Sequence, residues 1–228
     1  MAGGLAHELR NPLSTMMVNL KLLAEDLQDA EAPPEAVRRR ALLKVDVLRR
    51  EAERLQQLFD DFLNLAGPCK LRQTEIDLNA IVTRLVDFFG PVARNHRIDI
   101  EFTPRTTALS CPVDEQLLSQ ALLNIVINAQ QAMPEGGTLR IVTYAEAGWA
   151  VIEISDCGRG IASNDRERIF RPFFSTKPGG SGLGLPITQR IVNEHGGRLT
   201  FRSEPGRGTT FTVHLPTLPR PPAENPAT

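Results

Sequence analysis

The segment Ser175 to Leu185, STKPGGSGLGL, concentrates glycines just ahead of a helical pattern. Its glycines are Gly179, Gly180, Gly182 and Gly184. Glycine loses more conformational entropy on folding than any other residue, so this density indicates positive φ angles or a ligand pressed against the backbone. A helix start offers free N–H groups and the positive end of a dipole, both of which favour anions. We therefore predict a phosphate cradle, to which Lys177 adds a positive charge.

Two asparagines precede this cradle in the chain. The stretch NIVINAQQAM places Asn124 and Asn128 four residues apart, which puts both amides on one face of a helix. Amide oxygens are hard ligands suited to Mg²⁺, an ion that usually binds phosphates plus one or two protein oxygens. Taken alone, the pair is more simply interpreted as a solvated helix face, so the metal hypothesis depends on the neighbouring motifs.

An aspartate stands at the end of an apolar strand pattern. Asp156 follows AVIEIS, and Gly158 and Gly160 open the next loop. A carboxylate accepts hydrogen bonds, which suits the exocyclic amine of adenine and disfavours the carbonyl of guanine. Although Asp-x-Gly-x-Gly is common in ordinary turns, this position predicts recognition of a nucleotide base.

Aromatic residues separate these motifs. RIFRPFFSTK places Phe170, Phe173 and Phe174 around a proline in a charged segment. We interpret these rings either as part of the core or as a latch that anchors a mobile lid.

The glycine spacing argues against two common nucleotide motifs. No lysine followed by serine or threonine comes after Gly182, as a Walker loop requires, and no glycine cluster follows the first strand of a parallel βαβ unit.

Composition limits the class of protein that carries these residues. The chain has 228 residues, 41% of them hydrophobic, with 26 basic and 27 acidic side chains and a net charge of −1. This balance gives no electrostatic footprint for nucleic acid or an anionic membrane. Cys69, Cys111 and Cys157 are few and far apart, which disfavours a disulfide framework. Without a long apolar run or a secretion signal, we expect a cytoplasmic chain with no direct membrane contact.

The N-terminal third of the chain has a helical period. Apolar residues recur in steps of three and four from Leu9 to Leu27 and again from Ala41 to Phe62. Pro33 and Pro34 lie between the two runs, so we predict a helical hairpin. Two helices cannot bury such long stripes, which favours a homodimer that forms a four-helix bundle. Packing of the hairpin on the rest of its own chain is the alternative.

After Gly67 and Pro68 the pattern changes to short strands mixed with helices. The predicted strands are RIDIEF, TLRIVTY, AVIEISD, GRLTFRS and TTFTVHLP, and the predicted helices lie near 78–89, 115–133 and 183–194. The overall expectation is an α+β protein, with a mostly antiparallel sheet covered by helices in a two-layer α/β sandwich. The predicted domains are 1–67, 68–216 and a proline-rich, disordered tail at 217–228.

The four motifs resemble, in order, the boxes of one ATP-binding domain. NIVINA, DCGRG, FRPFFSTK and GSGLGL resemble the domain shared by sensor histidine kinases, type II topoisomerases, heat-shock chaperones and MutL-type repair proteins, the Bergerat type of ATPase fold. The resemblance implies ATP as the nucleotide. Its further implication is a set of binding residues: Asn124, Asn128, Asp156, Gly158, Gly160, Gly180, Gly182, Leu183, Gly184 and Thr209.

Within that set the resemblance implies specific roles. Asn128 binds Mg²⁺, Asp156 reads adenine, and Thr209 supports the adenine contact. One position departs from the family pattern, because Gln131 stands where many of these kinases have lysine or arginine. The contact with the γ-phosphate is then left to Lys177 or Arg171.

The first helix carries a second resemblance. LAHELRNPLS resembles the phosphoacceptor box of sensor histidine kinases, with His7 as the acceptor. A neutral imidazole is a good nucleophile at neutral pH, and Glu8 can accept the proton released during attack. Asn11 lies one turn beyond His7, where its amide can orient a water, and Pro12 predicts a bend in the helix. His96 and His214 lack such a context and are interpreted as structural, and His195, directly before Gly196 and Gly197, is predicted to end its helix.

Together the two resemblances imply the catalytic core of a sensor histidine kinase, most similar to the nitrogen-regulatory branch. It phosphorylates His7 from ATP and passes the phosphoryl group to an aspartate in the receiver domain of a response regulator, with phosphatase activity as well. The alternatives are an ATP-gated clamp without phosphohistidine and a scaffold that binds nucleotide without turnover. Because the family extends the first helix upstream to a sensor, we expect either a short protein or a fragment of a parent compatible with a membrane anchor.

Overall fold

The computed structural model describes residues 2–28, 33–67, 70–177 and 180–217, without the side chains of 2–5 and 7. These residues divide into two compact units, one within 1–67 and 172–183 and the other within 68–171 and 184–228. Cys69, Gly179 and all of the predicted disordered tail except Thr217 lie outside the described residues.

The first unit contains the predicted helical hairpin. Helix α1 spans Ala2–Gln28 and continues through Pro12, and helix α2 spans Pro34–Ala66. Pro34 opens α2, where its fixed φ and missing N–H are tolerated. Ion pairs join the two helices at both ends, Glu8 with Arg54 and Asp26 with Lys44, so the helices run antiparallel.

Most large apolar side chains of the hairpin remain exposed. Among the described residues of α1 and α2, Leu58 is the one large apolar side chain classed as buried. The exposed set is Leu13, Met17, Val18, Leu20, Leu22, Leu27, Leu42, Leu43, Val45, Phe59 and Leu63. An exposed apolar surface of this extent is typical of an interaction site.

The second unit alternates helices and strands. Its α-helices are α3 (Leu78–Asn95), α4 (Glu115–Ala132) and α5 (Gly184–Glu194), and a short 3-10 helix spans Ser163–Asp165. Its strands are β1 (Thr74–Asp77), β2 (Ile98–Pro104), β3 (Ser110–Val113), β4 (Gly137–Glu146), β5 (Trp149–Asp156), β6 (Arg198–Glu204) and β7 (Gly208–Pro216). Asp77 and Asp114 cap α3 and α4, each accepting a backbone N–H with its carboxylate.

Five strands form one sheet in the order β2-β4-β5-β7-β6. The β2–β4 pair is parallel and the other pairs are antiparallel. Residues directly opposite one another share a face, and the register joins Ile141 to Ile154 and Ile152 to Val213. These side chains belong to the same buried cluster as apolar residues of α3, α4 and α5. The three helices therefore cover one face of the sheet, and the predicted two-layer α/β architecture is confirmed.

Strands β1 and β3 form a separate two-stranded antiparallel sheet that was not predicted. Each has four residues, too few for an alternating pattern to be recognised, and Pro112 interrupts β3. Cys111 of β3 is fully buried, and this burial raises the pKa of its thiol to about 12. It is a core residue whose thiol stays protonated.

Candidate functional site

Asp156 is held by the backbone on two sides. Its Oδ1 accepts the N–H of Gly158 at 2.9 Å and the N–H of Thr209 at 3.3 Å. Thr209 of β7 pairs directly with Asp156 of β5 in the sheet. Two fixed donors on one oxygen set the direction of the carboxylate before any ligand arrives. The structure therefore brings together three of the predicted base-binding residues.

Two glycines near Asp156 have no room for a side chain. A Cβ on Gly158 would lie 2.5 Å from the carbonyl oxygen of Ala132, and one on Gly160 would lie 2.1 Å from that of Glu204. Gly160 also has a φ of 69°, in the left-handed region. Both glycines permit the loop after β5 to press against neighbouring backbone, which shapes the floor of the predicted pocket.

The asparagines of α4 meet the start of α5. The Asn124 side chain donates from Nδ2 to the carbonyl oxygen of Gly184 at 3.2 Å, and the buried Thr188 hydroxyl donates to the same oxygen at 2.9 Å. Asn128 follows one turn later on α4 and is partly exposed. Asn124 therefore fixes the N-terminus of α5 beside the helix that carries the predicted magnesium ligand. This contact between the two predicted motifs was not foreseen.

Gly184 differs from the other glycines in how much space surrounds it. An added Cβ would lie 3.7 Å from Asn124 Cγ, an ordinary contact, so packing does not require a glycine there. Gly184 opens α5, whose free N–H groups and positive dipole favour an anion. Close approach of a ligand is a sufficient reason for glycine at this position.

Phe173 and Gly182 are joined through their backbones. Phe173 has a φ of 64°, and its N–H donates to the carbonyl oxygen of Gly182 at 3.1 Å. Added Cβ atoms would meet the backbone nitrogen of Phe174 at Gly182 and the Ser175 hydroxyl at Gly180. Backbone packing and a φ of 64° therefore account for Gly182, whereas the Ser175 hydroxyl near Gly180 belongs to a side chain that can rotate away.

Other residues of this motif region have separate environments. Lys177 is partly exposed, and its backbone N–H donates to the Ser175 hydroxyl at 3.1 Å. Leu183 is fully buried. Phe170 meets Phe201 of β6 edge to face at 5.8 Å and packs against the core, whereas Phe173 and Phe174 are partly exposed. Of the two interpretations of the phenylalanines, Phe170 fits the core.

The residues of the predicted phosphoacceptor box lie in α1. His7 is within the helix, though its side chain lies outside the described set. The Glu8 carboxylate lies 3.9 Å from the Arg54 guanidinium of α2 and is partly buried. Asn11 is exposed, and its backbone carbonyl accepts the Thr15 hydroxyl at 3.2 Å. Glu8 is thus oriented across the hairpin, while the Asn11 amide faces solvent.

Two residues near the site were not recognised from the sequence. Ser203, 9% exposed, places its hydroxyl 2.9 Å from that of Thr209. Gly208 has a φ of 98°, and an added Cβ would lie 1.9 Å from the Asp156 carbonyl oxygen. Ser203 meets Thr209 across the short turn between β6 and β7, whereas the Gly208 contact depends on the pairing of β7 with the distant strand β5.

His195, predicted only to end its helix, makes specific hydrogen-bond contacts. It is 3% exposed, and its Nδ1 lies 2.8 Å from the Ile191 carbonyl oxygen. Its Nε2 accepts the backbone N–H of Asp114 at 2.9 Å. Because an N–H can only donate, Nδ1 carries the proton and the ring is neutral. His195 links the end of α5 to the cap of α4, which is a structural role.

The groups around Asp156 are chemically compatible with an adenine nucleotide. An oriented carboxylate can accept from an amine, a helix N-terminus favours anions, and an amide oxygen such as that of Asn128 is of a type that can ligate Mg²⁺. Comparison with known proteins supports the same assignment. The family described as "Histidine kinase-, DNA gyrase B-, and HSP90-like ATPase" matches residues 113–219, and the "His Kinase A (phospho-acceptor) domain" matches residues 1–67. The chain belongs to the histidine kinase family.

Individual relatives agree with this membership. The sensor histidine kinase ZraS of Escherichia coli is 37% identical over 217 residues, which are 95% of this chain and 45% of ZraS. The catalytic domain of the histidine kinase ThkA is 31% identical with a TM-score of 0.60, over 64% of this chain and 96% of that domain. ThkA in complex with the response regulator TrrA is 26% identical with a TM-score of 0.77, covering 96% of this chain and 61% of ThkA.

This histidine kinase chain thus spans less than half the length of the ZraS relative. Within the described residues, none of the helices combines the length and apolar character needed to cross a membrane.

Proposed function

We propose that this chain is the catalytic core of a two-component sensor histidine kinase, which transfers phosphate from ATP to His7 and then to an aspartate of a response regulator. One observation carries the proposal: a single chain joins a phosphoacceptor domain containing His7 to an ATPase domain with a pre-oriented Asp156. A clamp or a nucleotide-binding scaffold would not require the phosphoacceptor domain, so neither alternative is favoured.

The proposed first step is an in-line displacement at the γ-phosphorus of ATP. A nitrogen of His7 forms the new N–P bond, the bond to the bridging oxygen breaks, and ADP leaves. Glu8, next to His7 in the chain, accepts the imidazole proton. The Arg54 guanidinium 3.9 Å from Glu8 supports this role by orienting its carboxylate. In the second step a regulator aspartate takes the phosphoryl group and His7 is regenerated.

The nucleotide is proposed to bind through the second unit. Asp156 and Thr209 bind the adenine, Gly158 and Gly160 form the floor, and the N-terminus of α5 at Gly184 faces the phosphates. The proposed phosphate-binding segment also includes Lys177, Gly180, Gly182 and Leu183. Asn128 would hold Mg²⁺, which neutralises charge on the phosphates when bound, and Asn124 keeps α5 in place.

A second activity is proposed for Asn11. Its amide is exposed one turn beyond His7, where it can position a water for hydrolysis of a phosphoaspartate on a docked regulator. Asn11→Ala should leave phosphorylation of His7 nearly intact and prolong the lifetime of the phosphorylated regulator in the presence of ADP. A regulator dephosphorylated equally fast by this variant would contradict the assignment.

The proposed assembly is a homodimer through the hairpin, which forms a four-helix bundle from two copies. The exposed apolar residues of α1 and α2 support this, since two helices leave them uncovered. The proposed domains are the hairpin at 1–67, the ATP-binding domain at 68–216 and a tail at 217–228. Dependence on ATP and a response regulator favours a cytoplasmic location for this chain.

The test is phosphorylation with γ-labelled ATP and Mg²⁺, followed by mapping of the labelled residue. A label that is acid-labile and base-stable, and that maps to His7, is expected. His7→Gln should lose the label while ATP binding remains. His96→Gln is the matched control, because His96 is an exposed histidine at the end of α3. A label that persists in His7→Gln would contradict the proposal.

A further inference from the structure

Thr209, one of the predicted base-binding residues, shares a buried hydroxyl–hydroxyl contact with Ser203. Ser203 of β6 and Thr209 of β7 face each other in the antiparallel sheet, with their hydroxyl oxygens 2.9 Å apart. The two residues are 9% and 5% exposed. Buried hydroxyls require partners, so the direction of each O–H is set by its neighbours.

The Ser203 hydroxyl connects three backbone segments. Its oxygen accepts the N–H of Ile161 at 2.8 Å, and its proton can reach the carbonyl oxygen of Gly208 at 3.0 Å. An N–H can only donate, so Ile161 permanently occupies one lone pair of Ser203. The remaining capacity of Ser203 is shared between Gly208 and the Thr209 hydroxyl. Ser203 therefore restricts the rotation of the Thr209 side chain.

Thr209 transmits this restriction to the site. Its backbone N–H donates to Asp156 Oδ1, and it pairs with Asp156 in the sheet. Ile161 follows Gly160, so Ser203 also holds the loop that shapes the pocket floor. The hydroxyl of Ser203 is thus connected to Asp156 through Thr209 and to the glycine loop through Ile161.

We propose that Ser203 is a positioning residue that sets the selectivity of the site for adenine over guanine, acting through Thr209. This inference rests on the proposed ATP function. Adenine offers an amine donor and a ring acceptor along the edge where guanine offers a carbonyl acceptor and a ring donor. A hydroxyl that rotates freely serves either base as donor or acceptor, whereas a hydroxyl held in one rotamer serves one base better.

The test compares ATP and GTP binding by calorimetry in the whole chain. Ser203→Ala should lower the preference for ATP over GTP about tenfold, mainly through weaker ATP binding. Ser155→Ala is the matched control, because Ser155 and Thr210 form an equivalent hydroxyl pair at 2.9 Å on the other face of the same sheet. This control should leave the preference unchanged. Ser203→Thr keeps a hydroxyl and should restore most of the preference.

Thr209→Val removes the Thr209 hydroxyl from its contact with Ser203. This variant provides a second test if Ser203→Ala does not fold. Because Thr209 is also proposed to contact the adenine, Thr209→Val should lower the preference at least as much as Ser203→Ala, and the double variant should lose no more than Thr209→Val alone. An unchanged preference in Thr209→Val, or equal losses in Ser203→Ala and Ser155→Ala, would overturn the proposal. Failure of the wild-type chain to bind ATP would instead contradict the proposed function.

Discussion

In the α/β unit, three helices and a five-stranded sheet share one cluster of buried apolar side chains, whereas the described hairpin leaves Met17 68% and Leu27 66% exposed. Both regions have regular amphipathic patterns, and α2 is the longest helix of the chain's described part at 33 residues. The difference is the number of layers, because a sheet and its helices enclose a core while two helices cannot. An amphipathic pattern predicts a buried face without saying which chain buries it.

The proposed functional side chains of the two units differ in the contacts that orient them. Asp156 receives two backbone N–H groups, and its neighbouring glycines are fixed by close backbone contacts. Glu8 depends on one partly exposed guanidinium at 3.9 Å, an interaction of small free energy. The proposed nucleotide pocket would benefit from pre-organisation, whereas the proposed phosphoacceptor, which would meet both the ATP site and a regulator, would benefit from an accessible helix.

The largest expected effect separates the chemistry of the hairpin from nucleotide binding in the other unit. Glu8→Ala should slow phosphorylation of His7 by about 10²–10⁴-fold, as is typical when a general base is lost. ATP affinity should stay unchanged, because Asp156 and its partners are untouched. Single-turnover labelling measures the rate, and Asn11→Ala on the same helix is the control. Equal slowing in both variants would contradict the role of Glu8.

A charge on the exposed stripe tests whether the hairpin needs a second copy. Val45 is 49% exposed, and Val45→Glu would place a carboxylate within the proposed bundle at a cost of several kcal/mol. Light scattering should then report monomers. Gln56→Glu adds the same charge at an exposed position of α2 and should remain dimeric. A wild-type chain that is monomeric at micromolar concentration would contradict the proposed dimer.

The α/β unit should instead be sensitive to changes in its backbone contacts. Gly208→Ala would place a Cβ 1.9 Å from the Asp156 carbonyl oxygen at a φ of 98°, so we expect a loss of about 3 kcal/mol or more in stability. Gly206→Ala has a similar φ of 77° but open space around it, and should cost about 1 kcal/mol. Urea unfolding measures both. Equal losses would mean that the positive φ alone, and not the close contact with Asp156, lowers the stability.

Residue patterns predicted most of the regular structure in both units. Within the described residues, the strands of the main sheet follow from short β-like runs and the α-helices from apolar steps of three to four, which local residues determine. The motif residues Asp156, Gly158 and Thr209 are in contact, and Asn124 reaches Gly184. Their order along the chain, interpreted through a family resemblance, led to these positions.

The remaining features depend on tertiary contacts. Ser203 holds the N–H of Ile161, 42 positions earlier, and Gly208 lies against Asp156 because β7 pairs with β5, and GRLTFRSEPGRG alone indicates neither contact. His195 finds its second partner, Asp114, 81 positions away. Conversely, Gly182 is explained by local backbone packing that a glycine-rich motif does not distinguish from ligand contact. A glycine-rich composition indicates a flexible backbone, and the structure shows which contacts require that flexibility.

A substitution at Asp156 tests the pre-organised pocket without disturbing its support. Asp156→Asn keeps one oxygen to accept the N–H groups of Gly158 and Thr209 and replaces the other oxygen with an amide donor. ATP binding should weaken by about 1.5–3 kcal/mol with little change in unfolding temperature. Asp99→Asn removes the same charge from an exposed position of β2. Unchanged ATP affinity, with no preference over GTP, would exclude Asp156 from adenine recognition.

The smallest expected effect concerns a carboxylate in the hairpin. Burial raises the pKa of Asp61, a hydrogen bond from Gln57 opposes this, and the neighbouring Asp60 raises the pKa further. Since the folded pKa lies above the unfolded one, ionised Asp61 destabilises the fold near neutral pH, and this penalty disappears as pH falls below the unfolded pKa. Asp61→Asn should therefore stabilise the chain by less than about 1 kcal/mol near neutral pH, with no gain in acid.

The opposite sign is expected at Asp46, which provides the control for Asp61. A hydrogen bond from Arg49 and the charge of Arg50 lower the pKa of Asp46, so its ionised form stabilises the fold above the unfolded pKa and loses this effect as pH falls through the folded pKa. Asp46→Asn should weaken the hairpin slightly near neutral pH. Urea unfolding across the acid range measures both variants. Shifts of the same sign would mean that the hairpin responds to net charge, and that the local environment of each carboxylate has no separate effect.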